Sequence, residues 1–288
     1  MLQPHDHGPV TRLTLARTAF GRPLVTVEIY LVDGWLVDSG PPATGAELVR
    51  FAIEQLEQRE RKPLRGVVNT HQHEDHAGGD AALLQGLQLV PRAPELTIPT
   101  LASPPRLEPY RWFIWGQPRP VHAEPLGEWL QTDHHRFRVI PTPGHCRDHV
   151  CLLDASEGWL FSGDLFIAER VKYLRADEDA CTTLDSLRHA LTLDFDTLYC
   201  SHAGIIPNGQ AALRRKLDYW EDLQGRAREL HRSGVSPRSI RDQLLGPEGR
   251  MTPITLGHFS KLNLIKALLG DQVNRLLSAN RRPEWKES

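Results

Sequence analysis

The sequence predicts an α/β domain followed by a helical extension. Short apolar and β-branched runs alternate with amphipathic helical patterns, polar residues gather where those runs end, and beyond Pro207 the pattern turns charged and helical. α/β folds hold their ligands at the carboxyl ends of strands, so the polar clusters there are the candidates for function.

Residues 12–15, 24–32 and 35–37 read as strands, the last two joined by the turn Asp33-Gly34 in an antiparallel opening. Leu48, Phe51, Ala52 and Leu56 recur at helical spacing across 43–61, and Pro63 ends that helix. A β-branched strand over 64–70 delivers His71, Gly78-Gly79 lets the backbone turn tightly, and a helix from Asp80 gives way near Gly86 to a strand over 87–90. From 91 to 125 the pattern breaks into a proline-rich insertion carrying Tyr110, Trp112, Phe113 and Trp115. Such an insertion serves as a lid or binding loop, or is simply pinned to the core by its aromatic residues. Strands over 136–140 and 149–153 bracket the segment 141–148, and a strand over 159–161 runs into Ser162-Gly163-Asp164. A helix over 183–193 and a strand over 197–200 lead to Ser201-His202-Ala203-Gly204. Helices over 210–232, 237–245 and 258–279 follow, the last with Leu262, Leu264, Ile265, Leu268, Leu269, Val273 and Leu276 on its apolar face.

The 288 residues carry a formal net charge of −2, which gives no global basic field to draw in nucleic acid or an anionic membrane. The first residues lack a charged start and apolar run, and no stretch reaches the roughly 18 apolar residues of a membrane span, so a cytoplasmic location is expected. Cys146, Cys151, Cys181 and Cys200 form no C-x-x-C pair and read as reduced thiols.

The densest chemistry lies in Thr70-His71-Gln72-His73-Glu74-Asp75-His76-Ala77-Gly78-Gly79, with three histidines and two carboxylates within six residues. Imidazoles and carboxylates at this spacing are metal ligands, and the set suits zinc, iron or manganese. Gly144-His145, Gly163-Asp164 and Ser201-His202 stand at the ends of later strands.

With H-x-H-x-D-H and these three elements in this order, the chain resembles the metallo-β-lactamase superfamily over about residues 12–207. The resemblance implies an αββα four-layer sandwich, with 1–207 as the catalytic domain and 208–288 as a helical extension. It implies two divalent metal ions, zinc first, with iron or manganese also compatible. His71, His73 and His145 would hold one, Asp75, His76 and His202 the other, and Asp164 would bridge them. Metal-bound hydroxide would attack an ester, thioester or lactone carbonyl of a small molecule, with Asp75 as proton acceptor and later donor to the leaving group.

Departures narrow the branch. True β-lactamases of the superfamily usually lack a ligand like His76 or place Cys or Ser where Asp164 stands, and this chain has neither change. The large nuclease branch inserts a domain before the last histidine, yet only 37 residues lie between Asp164 and His202. Lactonases usually carry Tyr three residues beyond the bridging Asp, where this chain has Ile167, and Tyr173 is the nearest tyrosine. Glyoxalase II-like thiolesterases share all seven ligands, and single-iron persulfide dioxygenases share the motif. The C-terminal helices most resemble those of the lactamase-beta-2-like branch and of quinolone-signal thioesterases. The alternatives are a metal-dependent endoribonuclease, which would need a basic groove, and a non-catalytic metal-containing sensor that binds a partner. A homodimer is compatible with the sequence.

Other polar residues are expected outside the centre. His5 and His7 lie in a mobile tail, His134 and His135 in a turn, and Cys146 and Cys200 are small apolar filling. Arg170 and Lys172 belong to a solvated loop, His149 orients the loop of His145, and His258 starts the last long helix, facing solvent or the site.

Overall fold

The structure is a computed structural model that describes residues 1–57 and 63–270. It opens with strands β1 (Leu2–His7), β2 (Val10–Ala19), β3 (Arg22–Val32) and β4 (Trp35–Val37), each antiparallel to the one before it. Asp33 and Gly34 take φ of 51° and 80°, the positive values that a tight two-residue hairpin requires. Then come α1 (Gly45–Glu57), β5 (Gly66–Val68), α2 (Glu74–Ala77), α3 (Asp80–Leu87), β6 (Arg92–Ala93), α4 (Ile98–Ala102), α5 (Pro109–Trp115) and β7 (Glu124–Pro125). The crossovers make β4 to β7 parallel and complete a seven-stranded sheet among the described residues, in the order β1 to β7.

The second half supplies β8 (Trp129–Gln131), β9 (Arg136–Pro141), β10 (Val150–Asp154), β11 (Trp159–Gly163), β12 (Leu174–Arg175), α6 (Ala180–Ala190), β13 (Thr197–Cys200) and β14 (Gly204–Ile206). Six of these strands form a second sheet in the order β14-β13-β11-β10-β9-β8. The extension contains α7 (Gly209–Arg232), α8 (Pro237–Leu245), α9 (Met251–Ile254), β15 (Phe259–Ser260) and α10 (Lys261–Leu269), with β15 pairing antiparallel to β12. No helix among the described residues is long and apolar enough to cross a membrane.

Three apolar layers show how these elements stack. Val10, Tyr30, Val37 and Val68 of the first sheet meet Phe137, Leu152, Phe161 and Tyr199 of the second, so the sheets pack face to face. On the outer side of the first sheet, Leu13, Ile29 and Val67 bury Leu48 and Phe51 of α1 and Leu83 of α3. On the outer side of the second, Ile140, Leu153 and Leu198 bury Leu184 of α6, Leu213 and Trp220 of α7 and Leu264 of α10. The result is the αββα sandwich, with the extension's helices in its fourth layer.

Several sequence expectations change. The N-terminus is a paired edge strand carrying exposed His5 and His7, because β2 leaves an edge that residues 2–7 satisfy. The strand expected over 87–90 does not form, since Gln88 closes α3 in the left-handed conformation, and pairing begins at Arg92. Helix α6 starts three residues early, because Asp179 caps it by accepting the Thr182 amide. His258 precedes β15, and Ser260 caps α10. His135 is buried, with Nδ1 3.0 Å from Asp154 Oδ2. Positions 58–61 of the first expected helix and Val273 and Leu276 of the last lie outside the described residues.

Tyr30 ties the two sheets together. Its hydroxyl donates to the carbonyl of Cys200 at 2.7 Å, and its ring stands edge-on to Phe161 and Tyr199 at 5.6 and 5.3 Å. Tyr30→Phe should therefore lower unfolding free energy by about 1–2 kcal/mol through the orphaned carbonyl. Urea denaturation checks this, and an unchanged midpoint would show that water takes over the bond.

Candidate metal centre

Every candidate ligand stands beyond the carboxyl end of a strand. The loop after β5 carries His71 and His73, and α2 carries Asp75 and His76; His145 lies between β9 and β10, Asp164 after β11 and His202 after β13. The structure brings all seven together. Asp164 Oδ2 lies 3.2 Å from His145 Nε2, while Oδ1 lies 3.4 Å from His76 Nε2 and 3.3 Å from His202 Nε2. His145 Nε2 is 2.9 Å from His73 Nδ1, and His202 Nε2 is 3.5 Å from Asp75 Oδ2. The His71 ring centroid is 4.6 Å from that of His73 and 4.0 Å from that of His76. Asp164 thus stands between one group of three histidines and another of two histidines and an aspartate.

The donor set fits divalent cations. His71 Nε2, His76 Nε2 and Asp164 Oδ1 are buried without a hydrogen-bond partner, a condition that costs about 1–3 kcal/mol per group unless something else binds them. The outer nitrogens of His71, His76 and His145 are engaged, which turns the inner ones toward the centre. His76 Nδ1 lies 2.8 Å from Asp38 Oδ2, His71 Nδ1 lies 3.0 Å from Thr70 Oγ1, and His145 Nδ1 lies 3.2 Å from Glu178 Oε2. Thr70 in turn donates its hydroxyl and its amide to Asp38, at 2.9 and 2.8 Å. Asp38 therefore orients His76 directly and His71 through Thr70.

His73 is arranged differently. Its Nε2 is 2.7 Å from the Arg175 guanidinium, which can only donate, so the ring proton is left on the inward Nδ1. A cation at Nδ1 would displace that proton and require Arg175 to turn away.

The charges balance within the cluster. Burial pulls His71 and His73 well below the usual imidazole range, so both are neutral. For His76 burial is overcome by Asp164, Asp38 and Asp75, and its pKa is raised well above normal. For His202 burial is overcome by Asp164 and Asp75, and its pKa is pushed up to about 9. Burial would raise Asp164, but His202, His76 and His145 hold it well below the usual carboxylate range.

Asp164 is itself held from behind. His149 accepts the Asp164 amide on Nε2 at 3.0 Å, with its Nδ1 2.8 Å from Thr142 Oγ1. Burial pushes this ring down to about 3, so it is a neutral acceptor near neutral pH. His149 thus positions Asp164, where the sequence pointed to the His145 loop. Gly163 has φ of 45°, and a Cβ there would come within 2.7 Å of His149 Nε2. From α7 the buried Lys216 donates to the carbonyls of Leu165 and Phe166, both at 2.7 Å, fixing the segment that follows Asp164.

The weaker candidates sort themselves. Cys146 and Cys200 are free thiols; burial raises the pKa of each, and Cys146 Sγ lies within 4.8 Å of the ligand atoms of His71 and His73. A protonated thiol is a weak ligand beside two imidazoles. Lys172 and Arg170 are exposed. His258 Nδ1 lies 2.7 Å from the Tyr110 hydroxyl, joining the extension to the insertion above the centre. Of the residues that sequence reasoning missed, Asp38 had a signal, a carboxylate at a strand end like the ligands. Glu178, Arg175 and Lys216 had none, because each reaches the centre from a distant element.

A cavity of about 420 Å³ opens onto His73, Asp75, His145, Asp164 and His202. Its walls include Ile114 and Trp115 of α5, Ile167, Val171, Trp220 of α7 and Phe259 of β15.

Comparison with known proteins gives the family of the fold that carries these residues. The family model described as the metallo-beta-lactamase superfamily matches residues 25–202. A hydroxyacylglutathione hydrolase from Synechococcus is 32% identical over 176 residues, which cover 59% of this chain and 62% of that protein. A beta-lactamase-like protein 2 homolog from Drosophila melanogaster is 28% identical over 151 residues, covering 52% of this chain and 48% of that one. The match therefore spans less than two thirds of either relative. A beta-lactamase domain protein from Burkholderia ambifaria shares the fold, with a TM-score of 0.65 at 16% identity over 97% of this chain and 90% of that chain.

Two outcomes follow from the residues around the ligands. Asp38→Asn keeps the volume but sets an amide against Thr70 or His76, and should weaken metal affinity about 10- to 100-fold in a chelator competition titration. Unchanged affinity would mean that Asp38 does not orient the ligands. Beneath the His76 loop, burial pushes the Asp80 carboxyl up to about 7. A carboxyl raised above its unfolded value of about 4 contributes stability below that pH and loses it as pH rises through 7. Relative to Asp80→Asn, the metal-free protein should be more stable at pH 4 than at pH 7.5, as thermal unfolding across this range would show.

Proposed function

The chain belongs to the metallo-beta-lactamase superfamily, and on that premise we propose that it is a dinuclear metal-dependent hydrolase of an ester, thioester or lactone carbonyl. The observation that carries this reading is the position of Asp164, with one oxygen toward His145 and the other toward His76 and His202. The relatives named hydroxyacylglutathione hydrolase support a hydrolase.

In this reading His71, His73 and His145 hold one divalent ion and Asp75, His76 and His202 the second, with Asp164 between them. Zinc suits the set first, with iron and manganese also compatible. Bound there, the ions would supply activated water and polarise the carbonyl oxygen. Asp75, which lines the cavity, takes the proton released on attack and returns it to the leaving group. Glu74 keeps the helix carrying Asp75 in place through its buried ion pair with Arg111, whose Nε donates at 2.7 Å. Residues 1–207 would supply the seven ligands, and the extension that follows would add Trp220, Met251 and Phe259 to the cavity wall.

The endoribonuclease alternative needs free cations along a groove. The guanidinium groups at this cavity are engaged internally, Arg111 with Glu74 and Arg175 with Asp177 at 2.9 Å, which favours a small carbonyl substrate over RNA.

Asp164→Ala and His71→Ala should each lower carbonyl hydrolysis by well over about tenfold, because they remove a shared ligand and a first ligand. Activity should vanish with chelator and return with zinc. A loss smaller than tenfold in both variants would sink the mechanism, and metal-dependent, salt-sensitive cleavage of single-stranded RNA would move it to the nuclease reading.

A further inference from the structure

We propose that the site is shaped for a substrate with an apolar acyl chain of medium length rather than for an acyl group carried on an anionic peptide. This rests on the hydrolase reading and names the substrate class of that same site.

The cavity beside the ligands is walled by aliphatic and aromatic side chains from three separate parts of the chain. Ile114 and Trp115 come from the insertion, Ile167 and Val171 from the segment after Asp164, and Trp220 and Phe259 from the extension. Exposed apolar side chains continue the wall outward, since Val25 and Met251 line the same cavity while keeping 41% and 45% of their surface open. Such exposure at a mouth marks a surface that an apolar ligand covers.

Ile167 gives independent support. It takes φ of 56°, an outlier for a β-branched residue, while lining the cavity three positions after Asp164. Glycine would fit that backbone without strain, so an isoleucine held there indicates that its side chain is needed where it points.

The cations near the ligands are spent on the protein itself. Arg111 pairs with Glu74 and, at 3.2 Å, with Glu108; Arg175 pairs with Asp177; and Lys216 donates to two carbonyls. Lys172 lines the cavity from its exposed side. An acylglutathione, whose peptide carboxylates seek cationic partners, would find Arg111, Arg175 and Lys216 already engaged and only Lys172 at the rim, whereas an alkyl chain needs no cation. Tyr110, which lines the cavity, is linked to His258 at 2.7 Å, so the insertion's side of the wall is tied to the extension before any ligand binds.

The test uses the zinc-loaded full chain and a series of N-acetylcysteamine thioesters from acetyl to decanoyl, with S-lactoylglutathione alongside. We expect kcat/KM to rise about threefold per added methylene up to the medium chains, and octanoyl to exceed S-lactoylglutathione. Ile167→Gly relieves backbone strain, so it should fold, and it should cut the octanoyl-to-acetyl ratio by about tenfold. Met251→Asp, at the exposed mouth, should cut it in the same direction. Octanol should shift the tryptophan emission to shorter wavelength saturably, with the shift lost in Trp115→Phe and Trp220→Phe, and should bind less tightly in Ile167→Gly. Rates that are flat or falling with chain length, or a preference for S-lactoylglutathione, would overturn the proposal while leaving the hydrolase intact. Saturable octanol binding weakened by Ile167→Gly, in a protein that hydrolyses none of the thioesters, would support the apolar site and overturn the hydrolase instead.

Discussion

The arrangement depends first on one buried carboxylate that is not itself a proposed ligand. Asp38, at the end of β4, accepts the Thr70 amide and hydroxyl and faces His76 Nδ1, so a single side chain sets the ring of His76 and, through Thr70, the ring of His71. These two histidines belong to different halves of the centre, and their distance is fixed by a shared support. The backbone of Asp38 has φ of 66°, a conformation that aspartate tolerates better than most residues and that surrounding structure must enforce. The β3–β4 hairpin and the parallel pairing of β4 with β5 provide that enforcement.

Asp164 is the second fixed point, and its supports come from the other sheet. His149 holds the amide, Gly163 leaves room for that imidazole, and Lys216 reaches from α7 to the two carbonyls beyond. Burying an ammonium lowers its pKa, here to about 8, so holding this lysine opposes folding unless its hydrogen bonds are made. Its position ties α7 to the segment that bears the central carboxylate. The extension therefore acts on the centre through a positioning residue as well as through apolar packing.

The seven candidate ligands drew notice in the sequence because each sits in a short polar segment just after an apolar run. Their assignment and the αββα sandwich came from the family resemblance that the order of those segments carries. Strand ends are where local pattern and tertiary position coincide. Asp38 shares that signature, yet nothing local reveals that its oxygens meet a histidine 38 positions later. Glu178 and Arg175 were out of reach for the same reason, since their partners are set by how α6 and β12 pack. Small elements failed by another route: β1 and β8 pair with edges that β2 and β9 leave open, and the two-residue β12 pairs only with β15 from the distant extension. His135 lies in the turn before β9 as expected, but its burial against Asp154 cannot be read from spacing alone.

The insertion and the extension, which are remote in sequence, share one physical task. Trp115 packs into the outer layer of the first sheet and Trp220 into that of the second, yet both also wall the cavity. A wall made of core residues is as stiff as the core, because moving it would open voids in a close-packed layer. The Tyr110–His258 bond and the Arg111–Glu74 pair then join the insertion to the extension and to the motif helix. Selection at such a site works through the shape and polarity of a preformed cavity more than through closure of a loop. The strained Ile167 fits this logic, since a rigid surround can hold a side chain in a backbone conformation that a mobile loop would relax.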